Sequence, residues 1–252
     1  MTQDYKYFDE INDAVLRQVV IADSKLVPLV LDVGCGRGVL GEEIEKKNCV
    51  CWGIEMHPQA SAESVKRITR VIQADLTDFV AVKGYLGEIL FDYIIFADVL
   101  EHILEPREAV KFYKGFLKPG AKIIFSFPNT VSWLNRINFL FGNFDYTDTG
   151  IMDRGHIRFF TLASAKNMLL REGFTIEKID YIPYFVRALQ PFLKKIMLRK
   201  KDQESLGGKY LMQLPCYKFY LSFIQPVEYV FGYLFKSLFA FKIVIVGRNN
   251  GQ

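Results

Sequence analysis

Short apolar runs alternate with helical patterns over most of this 252-residue chain, and this alternation constrains the fold more than any other feature. Continuous runs of Val, Ile and Leu are typical of strands buried on both faces of a parallel sheet, with helices as crossovers. We therefore predict an α/β fold with a doubly wound, mostly parallel, seven-stranded sheet. The predicted strands are Leu29–Val33, Val50–Ile54, Val71–Ala74, Tyr93–Phe96, Ile123–Phe127, Phe174–Ile182 and Phe241–Val246.

Apolar residues at helical spacing predict helices between these strands. They cover Asp9–Ala22, Val39–Lys47, Pro58–Ile68, Pro106–Leu117, Val131–Phe141 and Leu162–Glu172. The alternation stops after residue 183 and resumes with the last strand. We therefore predict one domain made of residues 1–183 and 241–252, interrupted by a helical insertion over residues 184–240.

The segment of residues 184–242 is aromatic and basic. It holds ten cations and three anions, a net charge of +7, whereas the whole chain carries +4. Two interpretations stay open for it: a lid or dimer surface, and a contact with anionic lipid at a membrane surface. Nucleic acid is disfavoured because no glycine-aromatic or zinc motif accompanies the positive charge.

The remaining sequence indicates a cytoplasmic protein, with a membrane surface as the alternative. No run reaches the roughly 18 apolar residues of a membrane span, and the first residues lack the apolar core of a signal peptide. The four cysteines form no CxxC pair, which is consistent with free thiols in a reducing compartment.

A glycine-rich turn follows the first predicted strand. Gly34-Cys35-Gly36-Arg37-Gly38 leads directly into a helix, and glycines there allow a ligand to approach the backbone closely. Val39 stands where a dinucleotide fingerprint has its last glycine, and Asp32 suits a cationic amine better than a pyrophosphate. Glu55 ends the second strand and Asp75 follows the third, so acids recur at the strand edge where ligands of such sheets bind.

These segments resemble the class I S-adenosylmethionine-dependent methyltransferases, a Rossmann-like family. LDVGCGRG resembles the first motif of that family, GIE the second and QAD the third, and the resemblance covers residues 28–182 and the last strand. It implies S-adenosylmethionine as the cofactor, with Gly34 and Gly36 along the methionine moiety and Asp32 at its amine. Glu55 would hold the ribose, and Asp75 the adenine unless it caps the helix after Thr77. The predicted cofactor site also includes Cys35, Met56, Leu76, Phe96 and Ala97.

Two later segments point to the methyl acceptor. VLEH followed by Glu105-Pro106 resembles small-molecule O-methyltransferases, and GHIRFFT from Gly155 resembles members that act on sugars and polyprenylated quinones. Methyl transfer to oxygen needs a base or a cation near the acceptor. We predict His156 as the base, with His102 and Asp98 also catalytic. The alternative for His156 is a loop-fixing bond to a backbone carbonyl.

The predicted function is an S-adenosylmethionine-dependent methyltransferase that O-methylates a small-molecule or lipid-linked saccharide. A quinone-type O-methyltransferase with a divalent ion is the first alternative, because Asp98, Glu101 and His102 offer oxygen and nitrogen donors. We assign no metal ligand at this point, since Glu101 equally suits the first turn of a helix. A non-catalytic cofactor-binding scaffold is the second alternative, and a homodimer stays open.

Overall fold

The structure is a computed structural model that describes residues 11–21, 26–183, 222–223 and 225–251. Seven strands form a single sheet, and helices cover both faces. The strands are β1 (Leu29–Val33), β2 (Val50–Glu55), β3 (Arg70–Gln73), β4 (Phe91–Ala97), β5 (Leu117–Pro128), β6 (Phe174–Pro183) and β7 (Ala240–Asn249). The predicted fold class is therefore confirmed.

The helices described by the structure fill the connections. They are α1 (Asp13–Leu16), α2 (Val39–Glu45), α3 (Pro58–Ser64), α4 (Phe79–Leu86), α5 (Pro106–Lys114), α6 (Trp133–Leu140), α7 (Leu162–Arg171), α8 (Gln225–Leu234) and α9 (Lys236–Phe239), with a 3₁₀ turn over Leu100–His102. Local signals explain several starts. Asn12 and Asp78 cap α1 and α4, and Thr161 with Ser164 forms a capping box at α7.

The strand order is β3-β2-β1-β4-β5-β7-β6, and β7 alone runs antiparallel to its neighbours. β1 to β6 therefore end at one edge of the sheet, which we call the carboxyl edge. Because β7 is reversed, it begins at that edge, and Ala240 pairs there with Pro183 at the end of β6. The candidate site lies along the carboxyl edge.

Two apolar clusters lie on opposite faces of the sheet. On one face, α4, α5 and α7 pack through side chains such as Leu86, Tyr113 and Leu169. On the other, α1 and α2 pack through Val15 and Ile44. Burial of both faces explains why the strands are almost continuously apolar.

Some boundaries differ from the predictions. The predicted first helix is reduced to the four residues of α1, and its predicted ends at residues 9–10 and 22 lie outside the described residues. α4 begins after Asp78, which is the N-cap in place of Asp75. Of the basic segment, residues 184–221 and 224 lie outside the described residues, and residues from 225 onward form α8, α9 and the start of β7. None of the described helices is long and apolar enough to cross a bilayer.

Candidate active site

The glycine turn after β1 is closely packed against the loop that follows β4. Gly34 has a left-handed backbone (φ 77°), and a Cβ at this position would lie 2.7 Å from Cγ2 of Val99. The amides of Gly34 and Cys35 both donate to the carbonyl of Ile54 on β2. A glycine is therefore required at position 34, and the turn is fixed by β2 and the β4 loop before any ligand binds.

Two acids lie beneath and beside this turn. Asp32 is 2% exposed, and its Oδ1 has no hydrogen-bond partner among the described residues. Burial, and next the charge of Glu55, raise the pKa of Asp32 to about 7. Glu55 accepts hydrogen bonds from the amides of Gly36 (3.0 Å) and His57 (2.7 Å), so it joins the turn to the start of α3. Such a pocket favours a cationic ligand group.

The predicted adenine side is more open. Asp75 is exposed and accepts two hydrogen bonds from Thr77, so it closes a tight turn after β3. Met56 is exposed and Leu76 is half-buried, and the hydroxyl of Tyr113 donates to the Leu76 carbonyl over 2.9 Å. Asp75, Met56 and Leu76 thus all follow strands that end at the carboxyl edge.

The other predicted cofactor residues lie in the packed interior. Cys35 is buried, its thiol lies 3.4 Å from Ser64 Oγ, and burial is the main cause that raises its thiol pKa. The ring of Phe96 is fully buried against Tyr113, whereas Ala97, the last residue of β4, is half-buried. Only the backbone of Phe96 can therefore border a ligand.

Asp98 follows β4 in a left-handed conformation (φ 57°). Its amide donates to Ser126 Oγ (3.0 Å), and that hydroxyl donates to Asp98 Oδ1 (2.9 Å). Lys242 Nζ donates to Asp98 Oδ2 over 2.6 Å, and Asn12 Nδ2 reaches both Ser126 Oγ and Asp98 Oδ2. Asp98 is thus bound by side chains from β5, β7 and the residue before α1.

Glu101, His102 and His156 converge next to Asp98. One ligand-type atom from each lies within 4.8 Å of the others, and the two imidazole rings are 4.9 Å apart. His102 Nδ1 contacts the Gly155 carbonyl (2.9 Å), and His156 Nδ1 contacts the Ile151 carbonyl (3.0 Å). His156 therefore makes the predicted loop-fixing bond, which leaves its role as a base open.

Glu101 is 1% exposed, and neither carboxylate oxygen has a hydrogen-bond partner in the described chain. Burial, and next the charge of Asp98, raise its pKa well above the ordinary value. Its backbone carbonyl accepts from the amides of Ile157 and Arg158, so the loop that carries His156 covers it. Glu101 thus lies in a short 3₁₀ turn, as the first-turn interpretation suggested, but its side chain is buried.

An open cleft of about 520 Å³ lies over His156, lined also by Tyr146, Arg154 and Ile157. His156 is 8% exposed, and burial is the main cause that lowers its pKa. The ring of Tyr146 contacts those of Phe144 and Phe159. The cleft therefore combines an aromatic wall, a cation and an imidazole that favours its neutral form.

Several residues of this edge were not predicted from the sequence. Ser126 is a buried polar residue within an apolar strand, and Asn12 precedes a helix as a cap does, so both carried a signal. Lys242 was counted among the cations of the basic segment, although it lies in β7 and pairs with Asp98. Tyr146 and Arg154 carried no pattern that separates them from loop residues.

Comparison with known sequences identifies the family. A family model described as a methyltransferase domain matches residues 3–179. The ubiquinone biosynthesis O-methyltransferase of Vibrio vulnificus (strain YJ016) is 29% identical over 130 residues, 49% of this chain and 54% of that protein. That of Idiomarina loihiensis is 32% identical over 111 residues, 42% and 45% of the two chains. The chain thus spans about half the length of the curated relatives it matches.

Solved structures share the fold. A SAM-dependent methyltransferase from Archaeoglobus fulgidus aligns with a TM-score of 0.55 at 18% identity, covering 88% of this chain and 86% of that one. Magnesium protoporphyrin IX methyltransferase from Synechocystis PCC 6803, with bound SAH, aligns with a TM-score of 0.52 at 20% identity, covering 67% and 74%. The family match, the fold and the acids at its carboxyl edge agree: the chain belongs to the class I S-adenosylmethionine-dependent methyltransferases, with S-adenosylmethionine as the cofactor.

Proposed function

We propose that this methyltransferase transfers the methyl group to an oxygen atom of a small-molecule or lipid-linked saccharide. The observation that carries the proposal is the position of His156, which lies at the carboxyl edge and lines a cleft wide enough for one sugar ring. The ring of His102 packs against it at 4.9 Å, and the charge of Asp98 acts on its pKa, which supports a shared role for the three residues predicted as catalytic.

The cofactor residues fit S-adenosylmethionine by charge and by space. The Oδ1 atom of Asp32, buried without a partner in the described chain, suits the ammonium group of the methionine moiety. Gly34 and Gly36 let that moiety approach the backbone. The carboxylate of Glu55, at the end of β2, is an acceptor group that suits the ribose hydroxyls, and Asp75 is exposed on the adenine side.

In the proposed reaction His156 removes the proton of the acceptor hydroxyl. Because Nδ1 contacts a carbonyl oxygen, it carries the ring proton, and Nε2 holds the lone pair that accepts a proton. The lowered pKa keeps the ring neutral near pH 7. As the acceptor oxygen bonds to the methyl carbon, the carbon–sulfur bond breaks, and its electron pair returns to the sulfur as S-adenosylhomocysteine forms.

A saccharide is supported by the lining of the cleft. Tyr146 offers the flat apolar face of one aromatic ring to the cleft. Arg154 carries a side chain whose ion pair with Asp148 is long (3.4 Å) and exposed. Such a pair contributes little and can rearrange around hydroxyl groups. A lipid carrier is supported by α8, which exposes Val227, Val230 and Tyr233 close to where β7 begins.

The test is methyl transfer from radiolabelled S-adenosylmethionine to nucleotide-linked and polyprenyl-linked sugars, with calorimetry for cofactor binding. We expect His156→Ala to lower kcat by about 10²–10⁴-fold and to leave the cofactor Kd within about threefold, because the base contributes only in the reaction. A chain that binds no S-adenosylmethionine would overturn the proposal. Cofactor binding without turnover of any acceptor would favour the scaffold alternative.

A second candidate is a quinone-type O-methyltransferase that uses a divalent ion. It is favoured by the buried, unpartnered carboxylate of Glu101, which lies with His102 and His156 in a group that suits a metal. Two imidazoles and one carboxylate are donors typical of Zn²⁺ and related ions rather than Mg²⁺. An ion there would act as a Lewis acid on the acceptor oxygen. Both histidines keep Nδ1 on a carbonyl, which orients the ring for such binding.

Catechol methylation separates the two candidates. For a metal-dependent enzyme, we expect chelation to abolish methylation of 3,4-dihydroxybenzoate, re-added Zn²⁺ or Mn²⁺ to restore it, and Glu101→Gln to prevent the restoration. Turnover of a saccharide that survives chelation would support the base mechanism. Metal analysis of the purified protein and of Glu101→Gln gives a readout that does not depend on activity.

A further inference from the structure

The conformation of Asp98 is one that a carboxylate residue rarely adopts without support. A non-glycine residue in the left-handed region costs of the order of 1 kcal/mol and persists where its surroundings hold it. Here the amide of Asp98 is bound by Ser126 of β5, and its carboxylate is bound from three sides. The conformation of Asp98 is therefore held by hydrogen bonds from neighbouring residues, against the usual backbone preference of an aspartate.

Lys242 makes the strongest of these contacts. Its ammonium nitrogen lies 2.6 Å from Asp98 Oδ2, and the two side chains are only 26% and 25% exposed. A short, charge-assisted bond in a partly shielded place is stronger than an exposed ion pair. The reversed direction of β7 explains the contact, since Lys242 is the third residue of that strand and pairs with Pro128, at the end of β5.

The charge of Asp98 acts on the groups that face the acceptor. After burial, the charge of Asp98 is the next cause that raises the pKa of Glu101, where Lys242 opposes it. At His156, where burial lowers the pKa, the charge of Asp98 acts in the opposite direction. Asp98 and Lys242 thus lie within electrostatic reach of the acceptor side while remaining bound to β5 and β7. Lys242 itself is not among the residues that line the cleft over His156.

We propose that Lys242 is a positioning residue for methyl transfer, whose ammonium group holds the carboxylate of Asp98 in place at the carboxyl edge. The inference rests on the proposed function, because Asp98 matters to the reaction only if this edge is the catalytic one. It assigns a positioning task to β7, whose first three residues are the last of the basic segment.

The test compares two lysine–aspartate pairs that each join β4, or the residue after it, to another strand of the sheet. Lys118 of β5 pairs with Asp92 of β4 over 2.8 Å at the opposite edge, so Lys118→Met is a matched control for Lys242→Met. Lys242→Arg keeps the charge. For each variant we would measure kcat and KM with 3,4-dihydroxybenzoate and UDP-glucose as probe acceptors, the S-adenosylmethionine Kd, and hydrogen exchange at the Asp98 amide.

We expect Lys242→Met to lower kcat about 10–100-fold with the cofactor Kd within threefold, since misplacement of a group by about 1 Å can cost that much. Exchange at the Asp98 amide should accelerate at least tenfold. Lys242→Arg should recover kcat to within about threefold, and Lys118→Met should change neither quantity. Adding Lys242→Met to Asp98→Asn should cause no further loss, because the lysine acts through that carboxylate.

Equal kcat and equal exchange in Lys242→Met and the wild-type chain would overturn the proposal, as would equal losses in Lys118→Met. If the wild-type chain turns over neither probe acceptor, that result counts against the proposed function alone. The exchange comparison then decides the role of Lys242 separately, since it needs no acceptor.

Discussion

At the scale of single residues, the candidate site contains buried carboxyl groups. Asp32 and Glu55 are two acids that lie close together and are both nearly buried, an arrangement that costs free energy in the ligand-free chain. The raised pKa of Asp32 means that the folded chain keeps a proton that the unfolded chain releases. A cationic ligand group would remove this cost, so we expect the site to favour S-adenosylmethionine by charge as well as by shape.

Asp32→Asn should therefore stabilise the ligand-free chain in a pH-dependent way. The folded pKa of about 7 lies above the unfolded value of 3.8, so the wild-type chain loses stability as pH rises through this range. We expect the variant's advantage in free energy of unfolding to grow by about 2–3 kcal/mol from pH 5 to pH 8, roughly 5–10 °C in Tm. The S-adenosylmethionine Kd should rise about 10–100-fold.

Thermal melts at several pH values and calorimetry measure both effects. Asp78→Asn is the control, because Asp78 is exposed and Asn is an equally good helix cap. An advantage of Asp32→Asn that does not change with pH would show that the carboxyl is not held protonated by its surroundings.

At the scale of elements, Asn12 connects α1 to Asp98 and Ser126 at the carboxyl edge. Asn12 Oδ1 accepts from the amide of Val15 and caps the helix, whereas its Nδ2 donates to Ser126 and approaches Asp98. The cap and the contact with the carboxyl edge thus use opposite ends of one amide group. Docking of α1 and completion of the Asp98 site are expected to occur together.

Two substitutions at Asn12 separate these roles. Asn12→Ser keeps a cap but loses the donor, whereas Asn12→Ala loses both. We expect Asn12→Ala to be about 1 kcal/mol less stable than Asn12→Ser, since that is the usual contribution of a cap. Turnover should fall several-fold and equally in both, as judged from S-adenosylhomocysteine formation beside chemical unfolding. Turnover that instead follows stability would assign Asn12 a purely structural role.

The strands were predictable because burial on both faces leaves a continuous apolar run, which is a local signal. The hydrogen bonds around Asp98 were not predictable. Lys242 reaches Asp98 because β7 runs in the reverse direction and because its register pairs Val244 with Ser126. Likewise, Glu101 is buried because the loop before α7 lies over it, held there by backbone amides that donate to the carbonyl of Glu101. Contacts between residues 50 to 150 positions apart leave no pattern in a single sequence.

At the scale of the whole molecule, the predicted cofactor residues and the basic segment are connected to different strands of the sheet. The acids and glycines follow β1, β2 and β3, whereas the basic segment leaves at Pro183 and returns at Ala240, which are paired in adjacent strands. Its two ends are thus side by side at the carboxyl edge.

Replacing residues 184–239 by a four-residue Gly-Ser linker should therefore leave a folded, cofactor-binding protein. Shortening the connection lowers the entropy cost of joining paired strands, so it should not by itself destabilise the sheet. We expect cooperative melting and a cofactor Kd within about threefold of wild type, with loss of acceptor methylation. Unfolded protein, or protein that no longer binds S-adenosylmethionine, would show that the segment supports the fold itself.

The pairing of Pro183 with Ala240 has a consequence for how such an enzyme changes its substrate. A segment whose two ends lie in adjacent strands can be exchanged as a cassette, because the residues at its ends, Pro183 and Ala240, are already paired in the sheet. We expect that transplanting the corresponding segment of another methyltransferase would alter the choice of acceptor and leave the binding of the methyl donor unchanged. Divergence in this protein is then expected to concentrate between the last two strands.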